Sequence, residues 1–367
     1  MANQRIRNFA KILVDFSANI EEGDRVLVHG RTLAEELSQE IVQRVLERGG
    51  HPYTMLDPRN AKEVRLTNGS DEQLLHTNQL LEYAYTHFES RIKIYSQANT
   101  EEGSGADPRK AMLLGQGLSP ILKVQFERGE RKEFKWVTTM IPTQAYAQQA
   151  GMGFAAYEDF FYGAIHADDA DPVAHWLGVK EKQQKYVDAL DGHDQVELKG
   201  PNVDLQLSIK GRTWINSFGG HNMPSGEVFT GPVENSVNGW VRFNYPTMYQ
   251  GRILEGVELH FEDGKVVKES AAKNEDFLKE MLASDEGARY VGEFAIGLND
   301  EINRFTGFIL LDEKIGGSFH MALGRGYPET GNKNESSIHW DMICDMREDA
   351  EIRVDGDVFY KNGKFTI

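Results

Sequence analysis

The sequence predicts an α/β plus α+β chain: an amino-terminal α/β domain over 1–190 built on a doubly wound, mostly parallel sheet, and a mainly β, α+β carboxy-terminal domain over 191–367. Three observations predict it. The 367 residues, 40% of them hydrophobic, exceed one usual domain and can fill two cores. Up to about residue 190, apolar residues at helical spacing alternate with short apolar runs, the pattern of helices laid on both faces of a parallel sheet. Beyond that point the apolar runs are short and separated by Gly, Asp and Asn turns.

Taken in order, Ile6, Phe9, Ala10, Leu13 and Val14 recur at helical spacing, and Gly23-Asp24 turns the chain into a short strand from Arg25 to Val28. Leu33, Leu37, Ile41 and Val45 form the inner face of a second helix, Gly49-Gly50 ends it, and a strand from Tyr53 to Leu56 follows. Residues 71–90 read as helix, Arg91 to Tyr95 as strand, 108–127 as partly helical, and Phe134 to Ile141 as a strand stopped by Pro142. The turn HGRTLAEEL joins a strand to a helix as phosphate-binding turns do. It holds only Gly30, however, where a phosphate cradle needs several glycines, and reads as scaffold. Loop 98–108, ANTEEGSGADP, is the least hydrophobic stretch and is expected to be mobile.

After a helix ending near Leu190, strands are read at Val196 to Leu198, Val203 to Ile209, Val241 to Tyr245, Val257 to Phe261 and Val266 to Lys268, with a helix around 274–283. Asp263-Gly264 between two apolar runs is a two-residue hairpin signal, because that turn needs positive φ.

Composition excludes several classes of function. A net charge of -17 opposes broad contact with nucleic acid phosphates, which relies on clustered Lys and Arg. No run of about 18 apolar residues exists to span a membrane, and the charged, helical start has no apolar core of a secretion signal, so a cytoplasmic location is expected. The single cysteine, Cys344, rules out an intramolecular disulfide and a cysteine-based zinc cluster, and reads as a small packed side chain.

The residues that can carry chemistry lie in the second half, within about one third of the chain's length. His339 and Asp341 in SIHWDMI are two apart, so on a strand both project from one face and can grip one ion; a partly exposed polar pair is the alternative. Glu293 stands among Val291, Phe294, Ala295 and Ile296, where an unpaired carboxylate is costly and needs a metal or a Lys or Arg partner. Glu227 follows Pro224-Ser225-Gly226 at a turn-to-strand transition, a place for an aimed side chain or for a solvated acid. His320 between Phe319 and Met321 is a ligand or a satisfied core histidine. Tyr327, past Gly324 and Gly326, is a site residue or a core aromatic with one hydrogen bond. Together these carboxylates and imidazoles suit zinc, cobalt or manganese.

HNMPSGEVFTGP at 221–232, GEFAIGLN at 292–299, HMALGRGYPETG at 320–331 and KNESSIHWDMI at 333–343 resemble, in order, the signatures of the aminopeptidase T/aminopeptidase S family. The segments FAKILVDFS, GDRVLV and LERGGHPY extend a weaker likeness into the first half, so nearly the whole chain is covered. The resemblance implies a metal-dependent exopeptidase that removes amino-terminal residues from peptides with two divalent ions (zinc, cobalt, manganese or magnesium), a metal-bearing carboxy-terminal domain, and a homodimer. It implies Glu227, Glu293, His320, His339 and Asp341 as metal ligands and Tyr327 as the active-site tyrosine. The interval from Tyr327 to His339 is shorter than in the better known members, as is the chain, so cavity size and peptide length do not carry over.

On that footing Glu293 is the expected bridge between two ions, with Glu227 and His320 completing one site and His339 and Asp341 the other. Tyr327 would donate a hydrogen bond to the developing oxyanion. Two rival readings stand beside this one. A metal-independent glycoside hydrolase could use Glu227 and Glu293 as paired carboxylates but leaves the histidines idle, and a non-catalytic peptide or small-molecule binding protein could share the same fold.

Overall fold

The computed structural model describes residues 3–367. One compact unit runs up to Leu177 and takes in Gly219–Pro224, and a second comprises Gly178–Phe218 with Ser225–Ile367.

The first unit is built on a five-stranded sheet in the order His51–Asp57, Arg25–Arg31, Ser90–Tyr95, Lys135–Met140, Asn222–Met223, with every pairing parallel. Parallel neighbours need crossovers, and helices such as Glu35–Glu47 and Pro108–Glu130 supply them. Most of the expected inner faces are buried, Phe9, Ala10, Leu13 and Val14 on the first helix and its π-helical continuation Ile12–Ser17, and Leu37, Ile41 and Val45 on the second, while Ile6 and Leu33 are half-buried. Gly30 is scaffold for a steric reason, since a Cβ there would lie 3.0 Å from the Ile94 carbonyl oxygen. Residues 71–90 depart from the single helix expected. Two helices, Asp71–Leu75 and Gln79–His87, are separately capped by Ser70 and by Asn78, whose side chain accepts from the Leu80 and Leu81 amides. Loop 98–108 carries a buried acid that its composition hides: Glu102 accepts from Arg31 Nη1 and from the Glu63 amide.

Besides a two-stranded ribbon, Thr247–Tyr249 with Arg252–Leu254, the described residues of the second unit form two larger antiparallel sheets. The larger orders Lys265–Ser270, Val257–Glu262, Asn238–Phe243, Val203–Ser208, Gln195–Gly200, Glu351–Val354, Asp357–Lys361 and Lys364–Phe365. Its first turn is Asp263-Gly264, with φ of 48° and 84°, the left-handed pair that a two-residue hairpin requires. The smaller sheet orders His339–Asp345, Ser318–Gly324, Val291–Gly297, Glu227–Thr230 and Ile215–Ser217. Val228, Phe294, Ile296, Phe319, Met321, Leu323, Trp340, Met342 and Cys344 join the larger sheet's inward residues in one apolar core. Alternation then turns the intervening residues, Glu227, Glu293, His320, His339 and Asp341, to the opposite face.

One irregularity makes this possible. Val291 pairs with Leu323 but Glu293 with Ala322, so Gly292 is an extra residue that resets the alternation, leaving Val291 in the core and Glu293 on the other face. A Cβ at Gly292 would lie 2.4 Å from the Gly324 carbonyl oxygen. Gly292→Ala is therefore expected to lower unfolding free energy by about 1–3 kcal/mol through overpacking, read by urea denaturation. An unchanged midpoint would mean that the bulge tolerates a side chain.

Candidate metal centre

The five sequence-predicted metal-binding residues converge on one face of the smaller sheet. His320 is 1% exposed, and its Nε2 lies 3.7 Å from Glu227 Oε2, 3.7 Å from Glu293 Oε1 and 4.0 Å from Asp341 Oδ1. His339 Nε2 lies 3.2 Å from Glu293 Oε2 and 3.7 Å from Asp341 Oδ1. Its Nδ1 sits 2.7 Å from the Arg325 carbonyl oxygen, and donation there leaves Nε2 directed at the carboxylates. Glu293 thus touches both imidazoles. Tyr327, half-buried, packs its ring on His339 at 5.0 Å and on Phe229 at 5.5 Å.

Glu227 is placed by what precedes it. Gly226, at φ 120°, turns the chain, its carbonyl accepts the Leu298 amide, and Gln183 Nε2 donates 3.0 Å to the Glu227 carbonyl oxygen. The segment before His339 is latched by its own polar residues. Asn334 Nδ2 donates to the Gly287 and Gly324 carbonyls, and Asp285 accepts from Ser336 and Ser337. Those bonds hold Asp285 down at about 2, the Ser337 hydroxyl acting most strongly.

Sequence reasoning missed two residues, Glu313 and Lys314. Lys314, with no side-chain exposure, donates 2.6 Å to Glu227 Oε1 and also to Glu313 Oε1. The lysine salt bridge weighed for Glu293 is therefore found at Glu227. In the sequence Glu313 and Lys314 stand in a charged run, Asp312-Glu313-Lys314, between the apolar stretch 308–311 and Ile315, which reads equally as a solvated turn. Asp312 anchors that run: its Oδ1 accepts from the Thr306 amide and hydroxyl at 2.7 Å each, and burial raises it to about 7.

The donor set fits a divalent cation. Glu293, His339 and Asp341 can bring donor atoms within 4.8 Å of one another, as can Glu313, His320 and Asp341. Asp341 belongs to both groups. Glu227 Oε2, Asp341 Oδ1 and His320 Nδ1 are buried without a hydrogen-bond partner, a costly state for carboxylate oxygens that a cation relieves. In the first unit His166, Asp169 and His175 form a more exposed group of possible donors.

The charges answer one another. Burial opposes protonation of His320, but Glu293, Glu227 and Asp341 outweigh it and raise the imidazole to about 9. His339 is raised to about 10 against burial, chiefly by Asp341 and Glu293. Burial lifts Asp341 to about 6, whereas the two imidazoles overcome burial at Glu293 and bring it to about 2. Burial and then Glu293 push the Tyr327 phenol well above its ordinary value, so it is a neutral donor near pH 7.

A family model described as thermophilic metalloprotease (M29) matches residues 2–365. The chain belongs to the thermophilic metalloprotease (M29) family. Aminopeptidase AmpS of Bacillus subtilis (strain 168) is similar to this M29 chain at 25% identity, covering 100% of this chain and 99% of AmpS. Aminopeptidase T of Thermus thermophilus is also 25% identical, over 99% of this chain and 96% of that protein. Among solved structures, wild-type AmpT from Thermus thermophilus superposes with a TM-score of 0.88 at 22% identity over 99% of both chains, which establishes the shared mixed α/β fold. A 2,5-dihydroxypyridine dioxygenase from Pseudomonas putida KT2440 gives a TM-score of 0.58 at 12% identity over 100% of this chain and 98% of its own. The fold thus hosts more than one chemistry, and what this member of the M29 family does depends on its site.

Raised imidazoles in the metal-free centre carry a testable sign. Protonated His320 and His339 must lose a proton before coordinating, so metal binding releases protons and apparent affinity rises with pH up to about 9–10, by about tenfold per pH unit for each proton displaced. Calorimetry near pH 7.5 in buffers of different ionisation heat measures that release. Binding without proton release would remove the imidazoles from the ligand set.

Proposed function

We propose that this chain is a metal-dependent aminopeptidase that hydrolyses the amino-terminal bond of peptides, with Glu227, Glu293, Glu313, His320, His339 and Asp341 surrounding the metal and Tyr327 serving the transition state. The observation that carries the reading is the buried convergence of carboxylates and imidazoles, with oxygens lacking a donor, on one face of one sheet in a metalloprotease family member. Divalent metal bound there would supply Lewis-acid polarisation of the scissile carbonyl and activation of the attacking water. Zinc, cobalt, manganese and magnesium are all compatible with mixed nitrogen and oxygen donors. The two donor groups, sharing Asp341 and joined by the contacts of Glu293 with both imidazoles, give the centre two cation positions.

The chain's own groups divide the remaining work. Glu293, held as a carboxylate between His320 and His339, orients both rings. His339, fixed through Nδ1 on the Arg325 carbonyl, presents Nε2 without rotational freedom. Tyr327 keeps the proton on its phenol oxygen and donates a hydrogen bond to the oxyanion, an interaction stronger in the transition state than in the substrate. The surplus of carboxylates gives the sign that a peptide's α-ammonium needs. The reading includes peptide substrates and a homodimer, as the family resemblance implies, and a cytoplasmic location; among the described residues, no helix is long and apolar enough to cross a membrane.

Cleavage of aminoacyl anilides by dialysed protein, before and after metal is restored, tests the activity; absence of both bound metal and restored cleavage would end this reading. Glu293→Gln is expected to abolish turnover and weaken metal retention, and full activity in that variant would take Glu293 out of the centre. Tyr327→Phe should keep its metal and lose kcat by about 10²–10³, the cost of one oxyanion donor. Metal loss in that variant would make the tyrosine a ligand instead.

A further inference from the structure

Lys314 has no part in the chemistry described so far, although its side chain has no solvent exposure and ends inside the centre. Its Nζ donates to Glu227 Oε1 at 2.6 Å and to Glu313 Oε1, so one ammonium satisfies two carboxylates of the same donor set. We propose that the Lys314 ammonium is the resident cation of the Glu227 and Glu313 pair, so that this chain retains one divalent ion, at Glu293, His339 and Asp341, where two cation positions exist. The inference rests on reading these residues as a metal centre.

Three observations carry it. The first is position. A divalent ion placed on the oxygens of Glu227 and Glu313 would stand beside a fixed positive charge in a buried site, where screening by solvent is weak. The ammonium has no ready way out, because the backbone around it is tied: the Lys314 carbonyl accepts the Asn299 amide at 3.1 Å, and its own amide donates 3.0 Å to the Leu311 carbonyl. Asp312, bonded to Thr306, fixes the residue two positions before it.

The second is the contrast with the other position. Among the described residues, the ion pairs of Glu293 and Asp341 are with His320 and His339 alone, so no Lys or Arg takes a cation's place there. The third is charge. Glu227, Glu293, Glu313 and Asp341 bring four negative charges; one divalent ion, the ammonium and the imidazolium of His320, which is then no ligand, balance them, whereas two divalent ions with the ammonium leave a buried positive charge. A residual positive charge repels the α-ammonium of a peptide substrate.

The count of bound metal decides the matter independently of activity. The full chain carrying Asp169→Ala, which disables the exposed His166, Asp169 and His175 group, is stripped with chelator, titrated with zinc or manganese, separated from free metal and analysed by plasma mass spectrometry. One ion per chain is expected, rising to two on adding Lys314→Met, which leaves Glu227 and Glu313 without their cation. Two retained ions with Lys314 in place would overturn the inference, as would an unchanged count of one in folded Lys314→Met. If Lys314→Met does not fold, the count with Lys314 in place decides alone. No retained ion at all would instead overturn the reading of these residues as a metal centre.

Discussion

Three carboxylates on one face of an antiparallel sheet, met there by Glu313 from the end of the short helix Ile309–Asp312, are the constraint that the second unit must satisfy. Each carries a desolvation cost of several kcal/mol unless a cation or a hydrogen-bond donor stands against it. The protein meets the demand with Lys314 against Glu227 and Glu313, with His320 and His339 against Glu293 and Asp341, and with oxygens left open for a metal. The perturbed protonation of the histidines, of Asp341 and of Tyr327 follows from the same crowding of negative charge.

The scaffold tolerates that crowding because the sheet's other face is continuous core. Phe294, Ile296, Phe319, Met321, Trp340 and Met342 alternate with the polar residues on the same three strands, so the apolar burial that holds the strands in register also aims the ligands. The bulge at Gly292 is the one break in this alternation, and it falls next to Glu293. The loop ahead of His339 is ordered by Asn334 and by Asp285 with its serine partners, which transmits the position of the sheet edge to the imidazole.

Much of this was legible in residue order. The spacing of His339 and Asp341, the acid of Glu293 and the imidazole of His320 in apolar surroundings, and the Asp263-Gly264 hairpin are local signals, because a strand's alternation and a turn's φ depend on immediate neighbours. The break within 71–90 was harder to see, since Asn78 competes for the helix backbone only once its side chain folds over the next turn. Glu313 and Lys314 were not legible. Their partner Glu227 is 87 positions from Lys314, and nothing in the run Asp312-Glu313-Lys314 distinguishes a buried ion pair from a solvated surface turn.

By itself, then, the sequence determined the alternation of elements, the faces their residues occupy and the inventory of possible ligands, because these follow from periods of a few residues and from the identity of side chains. Only the tertiary structure decided which cation each carboxylate meets. That choice depends on distances between segments far apart in the chain and on the exclusion of water, and neither quantity is encoded in spacing. Lys314 marks the difference: in the sequence it is one charge among many on an acidic chain, and in the folded protein it is a buried ammonium within the metal centre.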